Sequence, residues 1–279
     1  MIDVRDAVSQ QDTEKRDCMC VPSVKLGEHD IDIWLAFYDG IDEGSLAEIL
    51  PLLDADERKR QVRFLLEDDR KRYLVTRGMV RTVLSEYAEV APEEWRFQKG
   101  RFGRPGISDG HGVDACALSF NISHTRGLIV IAITLKRAVG VDVEHVALRR
   151  ISLEAARSSF TPEEMTELMR LPVHLRQERF FEYWTLKEAY AKARSLGMAI
   201  PLERFGFDVA TERSVRLVAD PGLDHDPHRW RFWQCRPAQH HLLALCADVD
   251  RAVIPRILTR EWRPFSLSEE VDLEFFRTS

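Results

Sequence analysis

The segment Phe181-Glu-Tyr-Trp-Thr-Leu-Lys-Glu-Ala-Tyr-Ala-Lys-Ala-Arg194 predicts a helix, because it is rich in Ala, Leu, Lys and Glu and contains neither Gly nor Pro. Trp184, Glu188 and Lys192 are four residues apart and therefore share one side of that helix. The helix thus holds a carboxylate and an ammonium group one turn apart. Such a pair suits a metal ion and a phosphate, but it also describes an ordinary salt bridge.

A second informative segment is the predicted strand Val139-Gly-Val-Asp-Val-Glu144. Alternation directs the three valines to one face and Gly140, Asp142 and Glu144 to the other. We interpret the glycine as leaving room for a ligand beside two carboxylates, although a solvent-facing acidic edge is the simpler alternative. If Glu188 packs across this strand, three carboxylates meet in one pocket and need a cation to neutralise them. Oxygen ligands in this number suit Mg²⁺.

Patterns elsewhere in the chain predict an α+β protein built from two similar halves. Residues 31–38 alternate as a strand, Asp54 is a candidate helix N-cap, and apolar spacing predicts a long helix from about residue 68 to 88. Each half has a strand, then helices that include a long one, then antiparallel-looking strands. We expect the following divisions: a flexible leader over 1–30, α+β halves over 31–138 and 139–250, and a C-terminal tail of uncertain fold over 251–279.

Composition excludes several classes of protein. The 279 residues carry a formal charge of -6, which argues against a general binder of nucleic acid or of anionic membranes. A nucleic-acid binder that uses the arginines of 58–81 is a remote alternative, and it predicts steeply salt-dependent binding. No apolar run approaches the length of a membrane span. Five cysteines are too few and too scattered for a disulfide framework, so we expect a cytoplasmic protein.

Two turns carry residue types that bind phosphate. Asn121-Ile-Ser-His-Thr-Arg126 connects two apolar predicted strands and offers Ser123 and His124 as hydrogen-bond donors. The turn at 103–106 offers Arg104, whose forked guanidinium suits phosphate. Either segment can equally be an ordinary surface turn. No phosphate-binding P-loop, GxGxxG, GxSxG or HExxH motif is present, so kinases, dinucleotide enzymes and common hydrolases lose their usual sequence support.

Together these segments resemble the 4′-phosphopantetheinyl transferases of the monomeric, surfactin-synthetase-activating type. The matching segments are Gly103–Pro105, Phe120–His124, Val139–Glu144 and Trp184–Lys192. The 41 residues between Asp142 and Trp184 also fit the spacing of that family. The resemblance covers about residues 31–250. It implies two pseudo-symmetric α+β halves with the active site in the cleft between them.

The resemblance implies a reaction and a set of site residues. Phosphopantetheine would pass from coenzyme A to a serine of an apo acyl or peptidyl carrier protein, with release of adenosine 3′,5′-bisphosphate. Asp142, Glu144 and Glu188 would hold Mg²⁺, and Glu188 would act as general base, directly or through a bound water. The implied contacts to coenzyme A are Lys192 and Lys187 at the pyrophosphate, and Arg60, Arg104, Ser123 and His124 at the nucleotide. One departure is Glu57, at a position that is often basic in relatives, and Arg58 or Arg63 would have to substitute.

Carrier domains are generally acidic helical bundles, so the resemblance also implies a basic and apolar docking edge. We place it in the segment 146–157, with Arg149, Arg150 and Ile151, although this segment can also be an ordinary loop that enters a helix. A non-catalytic homologue that only binds coenzyme A or a carrier protein is the main alternative. The complete set of three carboxylates and a lysine argues against it, because a pure binder does not need a base.

Overall fold

The computed structural model describes residues 22–100, 103–148, 153–209, 211, 213–224, 226–250 and 252–279. Most of the expected leader therefore lies outside the described residues. The helices are α1 Glu43–Ile49, α2 Ala55–Gln61, α3 Glu67–Ser85, α4 Val113–Ala117, α5 Leu153–Ser159, α6 Pro162–Arg170 and α7 Val173–Ala193. The strands are β1 Ile31–Ala36, β2 Phe97–Lys99, β3 Pro105–Ile107, β4 Leu118–Thr125, β5 Leu128–Leu135, β6 Val139–His145, β7 Phe205–Asp208, β8 Arg216–Ala219, β9 Trp230–Ala238, β10 His241–Asp248, β11 Ile257–Glu261, β12 Glu269–Glu270 and β13 Phe275–Thr278.

Two larger sheets give the chain its pseudo-symmetry. The N-sheet has the order β12-β11-β1-β5-β4, and the C-sheet has the order β13-β9-β10-β6. β1, the first strand of the N-terminal half, pairs antiparallel with β5, the second strand of the hairpin that follows α3. β6, the first strand of the C-terminal half, pairs in the same way with β10, the second strand of the hairpin that follows α7. The α+β fold with two similar halves, predicted from the sequence, is confirmed. In the described ranges, no helix has an apolar stretch of the length that a bilayer crossing needs.

The two sheets pack face to face, and each carries its long helix on the outer face. The apolar layer between them contains the inward side chains of β1, β5, β6, β9 and β10, among them Val141 and Val143. Helix α3 packs on the outer face of the N-sheet and α7 on that of the C-sheet. Full burial of a valine side chain stabilises a fold by roughly 1.5–3 kcal/mol. The valines of β6 therefore hold the opposite side of that strand, with Asp142, firmly toward α7.

The edges of the two sheets meet where β4 lies beside β6. The backbone N–H groups of Val141 and Val143 donate to the side chains of Asn121 and Ser123, at 2.9 Å and 3.2 Å. The residues expected to form a turn at 121–126 thus lie mostly inside β4, which continues to Thr125. Side chains of β4 complete the hydrogen bonding of the β6 edge, so the relative position of the halves depends on them.

Gly140 has a different role from the one predicted. A Cβ atom at this position would lie 2.0 Å from the carbonyl oxygen of Ala189 and 2.4 Å from the backbone nitrogen of Ala193. The glycine therefore leaves room for the backbone of α7, not for a ligand. Its absence of a side chain allows α7 to approach β6 closely, which brings the side chains of the helix within reach of the strand.

The chain after residue 250, for which no elements were predicted, supplies strands to both sheets. β11 pairs in parallel with β1 of the N-sheet, and β13 pairs antiparallel with β9 of the C-sheet. The C-terminal segment thus runs from one half to the other. Near the N-terminus the predicted cap is confirmed: Asp54 begins α2 with a capping box whose second member is Glu57.

Candidate active site

The carboxylates of β6 and α7 line one cavity of about 560 Å³. Asp142 and Glu144 reach it from the strand and Glu188 from the helix, as the sequence predicted. The segment 200–203 also lines the cavity, with three apolar residues followed by Glu203. Asp142 is 5% exposed, so the cavity contains a carboxylate that is almost fully withdrawn from bulk water. Burial of an ionised carboxylate is costly unless a cation compensates it.

Lys192 supplies that compensation. Its Nζ atom lies 2.7 Å from Asp142 Oδ1, and it also donates to Ser123 Oγ at 3.0 Å and to the carbonyl oxygen of Val141 at 3.1 Å. Three acceptors account for the three N–H donors of an ammonium group. Lys192 therefore pairs with the strand carboxylate and not with Glu188, its neighbour one helical turn away.

Asp142 retains one unused oxygen. Oδ2 is buried and has no hydrogen-bond partner among the described residues. A buried carboxylate oxygen without a donor is uncommon, and a hard cation is one group that satisfies it. As the side chains stand, no three acidic, histidine or cysteine residues in the described part of the chain are arranged to hold a metal ion. The donor set of Asp142, Glu144 and Glu188 nevertheless fits Mg²⁺ in chemistry, because all three offer carboxylate oxygens to one cavity.

Glu188 has the properties of a proton acceptor. Burial raises the pKa of its carboxyl group, and the negative charge of Asp142 raises the pKa further, while Lys192 lowers it. A carboxylate with a raised pKa is a stronger base than one in water. Glu188 lies in the cavity next to Asp142, whose negative charge Lys192 compensates. The Glu188 carboxylate is therefore both basic and accessible to a group that binds in the cavity.

Trp184 packs on the helix and orients Glu144. Its ring is stacked on Phe180 with 6.0 Å between ring centroids, and its Nε1 donates to Glu144 Oε1 at 3.2 Å. We expected Trp184 to pack the helix in place, and the stacking agrees with that. The hydrogen bond to Glu144 adds a function that the sequence did not suggest.

Ser123 is placed at the centre of the cluster, where its hydroxyl is engaged by protein groups. Its hydroxyl donates to Asp142 Oδ1 at 3.0 Å and accepts from Lys192 and from the backbone nitrogen of Val143. One donor and two acceptor positions are all that a hydroxyl has. In this structure Ser123 connects β4 to β6, and its contact with a nucleotide stays a prediction.

Arg104 is likewise committed to protein acceptors. One terminal nitrogen donates to the carbonyl oxygen of Lys192 and to Ser195 Oγ, and the other donates to the carbonyl oxygens of Phe120 and Val139, at 2.7–3.0 Å. These bonds use all four N–H donors of the two terminal nitrogens. In this structure Arg104 joins β4, β6 and the end of α7, and its contact with phosphate stays a prediction.

Lys187 lies away from the cavity, which corrects the position that the resemblance implied. It is fully buried, pairs with Glu164 at 2.9 Å, and donates to the carbonyl oxygens of Leu202 and Phe205. Burial lowers the pKa of Lys187 and raises that of Glu164, and the two charges partly oppose these shifts. Lys187 is thus a structural residue of the C-terminal half.

His124 is a predicted nucleotide contact at the end of β4, and its side chain is exposed. Partial desolvation of the imidazole lowers the pKa of His124, and the positive charges of Arg72 and Lys192 lower it further. The neutral imidazole can donate one hydrogen bond and would gain a second donor near an anion. His124 therefore stays a candidate phosphate ligand close to Lys192.

Arg60 lines a separate basic cavity of about 1000 Å³ in the N-terminal half. Its other cationic residues are Lys59, Arg63, Arg77 and Lys99. The Arg60 guanidinium lies 5.7 Å from the centre of the Tyr73 ring. Cations beside an aromatic ring suit a phosphorylated nucleotide. The sequence singled out Arg60, whereas Lys99 and Tyr73 were missed because they come from other segments.

Glu57, the departure from the family pattern, has a structural explanation. Besides completing the capping box, it accepts from the fully buried Arg81 at 2.7 Å. Arg58 donates to the carbonyl oxygen of Leu53 and does not line the cavity, whereas Arg63 does. Arg63 is therefore the better candidate to replace the missing basic side chain. The predicted docking residues Arg149, Arg150 and Ile151 lie outside the described residues.

Comparisons with known proteins agree with this geometry. A family model described as the 4′-phosphopantetheinyl transferase superfamily matches residues 138–246, and one described as 4′-phosphopantetheinyl transferase, N-terminal, matches residues 42–136. The 4′-phosphopantetheinyl transferase HetI of Nostoc sp. is 32% identical over 200 residues, which are 72% of this chain and 83% of that protein.

Two further relatives extend the comparison. A phosphopantetheinyl transferase of Thraustochytrium sp. is 32% identical over 78% of this chain and 79% of its own length. The 4′-phosphopantetheinyl transferase Sfp of Bacillus subtilis is 26% identical over 71% of this chain and 83% of its own length. The chain belongs to the 4′-phosphopantetheinyl transferase superfamily. It is accordingly an enzyme, a transferase of the phosphopantetheinyl group.

Proposed function

We propose that this enzyme transfers 4′-phosphopantetheine from coenzyme A to a serine of an apo acyl or peptidyl carrier protein, with Mg²⁺, and releases adenosine 3′,5′-bisphosphate. The observation that supports this most directly is the cluster around Asp142. A buried carboxylate with one oxygen paired to Lys192 and the other without a partner is suited to a site that receives both a cation and a phosphate.

Asp142, Glu144 and Glu188 would hold the Mg²⁺ ion. When bound, the cation would neutralise charge on the pyrophosphate and on the departing phosphate. The chain positions these ligands in different ways: the valines of β6 fix Asp142, and Trp184 orients Glu144. Mutation of residues that orient metal ligands typically lowers metal affinity or activity by about 10- to 100-fold.

Lys192 would stabilise the leaving group. Its side chain is a quarter exposed, and its ammonium contacts Asp142, which lines the cavity. In phosphoryl transfer, positioning and charge neutralisation do most of the work. The three N–H donors of Lys192 are engaged by Asp142, Ser123 and Val141, so the ammonium would stabilise the departing phosphate through its charge or by exchanging one of these acceptors. The nucleophile belongs to the carrier, so this chain needs no catalytic Ser or Cys.

Glu188 would accept the proton of the carrier serine as its oxygen attacks phosphorus. The position of Glu188 in the same cavity as Asp142 and Glu144 supports this assignment, because the proton acceptor must lie at the bound phosphate. A positioned general base contributes about 10²–10⁴-fold to a rate. The nucleotide part of coenzyme A would lie over the basic cavity, with Arg60 and Arg63 as contacts to its phosphates. His124, which does not line that cavity, would be a further phosphate contact from the end of β4.

The assay that tests this function incubates the enzyme with an apo carrier protein, coenzyme A and Mg²⁺. We expect the carrier mass to increase by one phosphopantetheine group, and we expect a chelator to abolish the increase. Glu188→Gln should abolish turnover while coenzyme A binds within about one order of magnitude of the wild-type Kd, because the base acts on the serine. Binding of coenzyme A without any mass change in the carrier would support the non-catalytic alternative instead.

Docking of the carrier needs a separate test. We propose that the segment 146–157 contacts the acidic carrier, and that reversing charge at Arg149 and Arg150 raises KM for the carrier. An unchanged KM would eliminate this surface. A panel of apo carriers compared by kcat/KM would identify the pathway that is served. The cytoplasmic location and the monomeric state expected from the sequence remain predictions.

A further inference from the structure

Arg104 contacts three separate parts of the chain with one planar group. Its terminal nitrogens reach the carbonyl oxygens of Phe120 in β4, Val139 in β6 and Lys192 in the last turn of α7, and the hydroxyl of Ser195 just beyond the helix. The last carbonyls of a helix lack partners within the helix and carry partial negative charge. A partly buried arginine at this place therefore both caps α7 and connects it to the two edge strands.

The three segments that Arg104 contacts are the segments that carry the central cluster. Phe120 lies three residues before Ser123 in β4, and Val139 lies three residues before Asp142 in β6. Lys192 itself supplies the third acceptor. The side chains of Ser123, Asp142 and Lys192 meet at 2.7–3.0 Å, so a shift of any one backbone would break their hydrogen bonds.

We propose that Arg104 is a positioning residue, which sets the relative register of β4, β6 and α7 and thereby places Lys192 against Asp142. This inference rests on the proposed function, because it assigns to Arg104 a contribution to turnover. It also differs from the expectation drawn from the family, in which this residue contacts the nucleotide. A nucleotide contact would affect coenzyme A binding, whereas a positioning residue affects the chemical step.

Burial makes the site of Arg104 specific for a guanidinium. Desolvation lowers the pKa of Arg104, and its hydrogen-bond partners among the described residues are carbonyl and hydroxyl oxygens. A lysine keeps the charge but offers three donors from a single point. One ammonium cannot reach acceptors in three segments with the planar geometry that the four bonds of Arg104 have.

The test compares Arg104→Met and Arg104→Lys with Arg96→Met. Arg96 is an exposed arginine that also donates to carbonyl oxygens, those of Glu93 and Trp95, but it touches none of the three segments. We expect both Arg104 variants to lower kcat by about 10- to 100-fold while the Kd for coenzyme A, measured by calorimetry, stays close to that of the wild type. Arg96→Met should change neither quantity.

Two outcomes would overturn the inference. If kcat is retained and the Kd for coenzyme A rises, Arg104 is a nucleotide contact; if both are retained and only the melting temperature falls, its role is purely structural. If Arg104→Met does not fold, kcat of Arg104→Lys distinguishes the two roles. Lysine can replace arginine at a phosphate contact, but it cannot connect three segments as the guanidinium does, so a positioning role predicts a lowered kcat. A wild-type enzyme that transfers nothing would contradict the proposed function itself, which is a different result.

Discussion

Lys192 Nζ lies 2.7 Å from Asp142 Oδ1, so a cation on α7 neutralises a buried carboxylate on β6 across 50 positions of sequence. The pair joins the two elements that the sequence marked as chemically important. It also explains why the last turn of α7 must stay ordered, because Arg104 holds the Lys192 carbonyl while Asp142 and Ser123 hold its ammonium. The first prediction concerns this pair.

Replacing Lys192 with Met should destabilise the protein as well as inactivate it. The substitution leaves Asp142, which is 7% exposed at its side chain, without its cation. Loss of one partner from a buried pair costs about 3–5 kcal/mol; because Lys192 is 25% exposed, we expect about 2–4 kcal/mol by urea unfolding. The control is Lys59→Met, which breaks an exposed pair with Asp56 and should cost less than about 1 kcal/mol.

A double-mutant cycle sharpens that measurement. If the cost of Lys192→Met comes from the orphaned carboxylate, Asp142→Asn in the same chain should recover part of it. Strictly additive losses in the two single variants and the double variant would show that the pair contributes nothing to stability.

Lys187→Met should destabilise the fold without changing the chemistry. Glu164 would remain buried without its ammonium partner, which costs about 3–5 kcal/mol. Turnover per folded molecule should stay near the wild-type value, because Lys187 does not line the cavity and touches its wall only at the Leu202 carbonyl oxygen. Circular dichroism melting and kcat measured well below the melting temperature check both parts. A loss of kcat in a fully folded sample would return Lys187 to the active site.

Gly140→Ala should displace α7 from β6. The new methyl group would overlap the backbone of Ala189 and Ala193, and backbone atoms cannot rotate away. We expect a loss of about 3 kcal/mol or more, together with reduced turnover. Gly106→Ala is the matched control, since Gly106 also lies in a strand and a Cβ there meets nothing within 4 Å. Equal stability of the two variants would contradict the close approach of helix and strand.

Asp32→Asn should change how stability depends on pH. Asp32 is 1% exposed and accepts from Tyr87 at 2.6 Å, while its Oδ1 has no partner among the described residues. Burial raises the pKa of Asp32 above its ordinary value, and the hydrogen bond from Tyr87 and the charge of Arg260 only partly oppose this. The folded state therefore binds a proton more tightly than the unfolded chain does.

The sign of the effect follows from that difference in proton binding. As pH rises from the ordinary aspartate pKa through the raised one, the wild type loses stability that the asparagine variant keeps. The free energy of unfolding of Asp32→Asn minus that of the wild type should increase over this window and then level off. Urea unfolding at a series of pH values measures it, with exposed Asp56→Asn as control. A difference that stays flat or falls with pH would contradict the raised pKa.

The sequence predicted the elements of the site better than its contacts. Alternation in β6 and four-residue spacing in α7 put Asp142, Glu144 and Glu188 in one cavity, because local periodicity decides which face a side chain occupies. The same spacing also separates Lys187 from Lys192, since five residues correspond to about 140° around a helix. Helical spacing therefore argues against a shared site for the two lysines, although the family resemblance implies one.

The roles of Arg104 and Ser123 could not be predicted in the same way. Their partners are backbone carbonyls, a backbone N–H and side chains from distant segments, and such acceptors leave no pattern in a sequence. Gly140 was misinterpreted for a related reason. A glycine in a strand indicates that something approaches closely, but the sequence does not say whether it is a ligand or another backbone.

The pairing of the C-terminal segment with both sheets limits where this enzyme can be truncated or fused to a tag. The family model for the second half ends at residue 246, before β11 and β13. A chain shortened to that boundary would keep every proposed active-site residue and yet expose the backbone edges of β1 and β9, one on each sheet. Unpaired edges recruit other strands and favour aggregation. The boundary of sequence similarity therefore lies inside the cooperative folding unit, and residues 257–278 belong in any version of the protein that is meant to remain monodisperse.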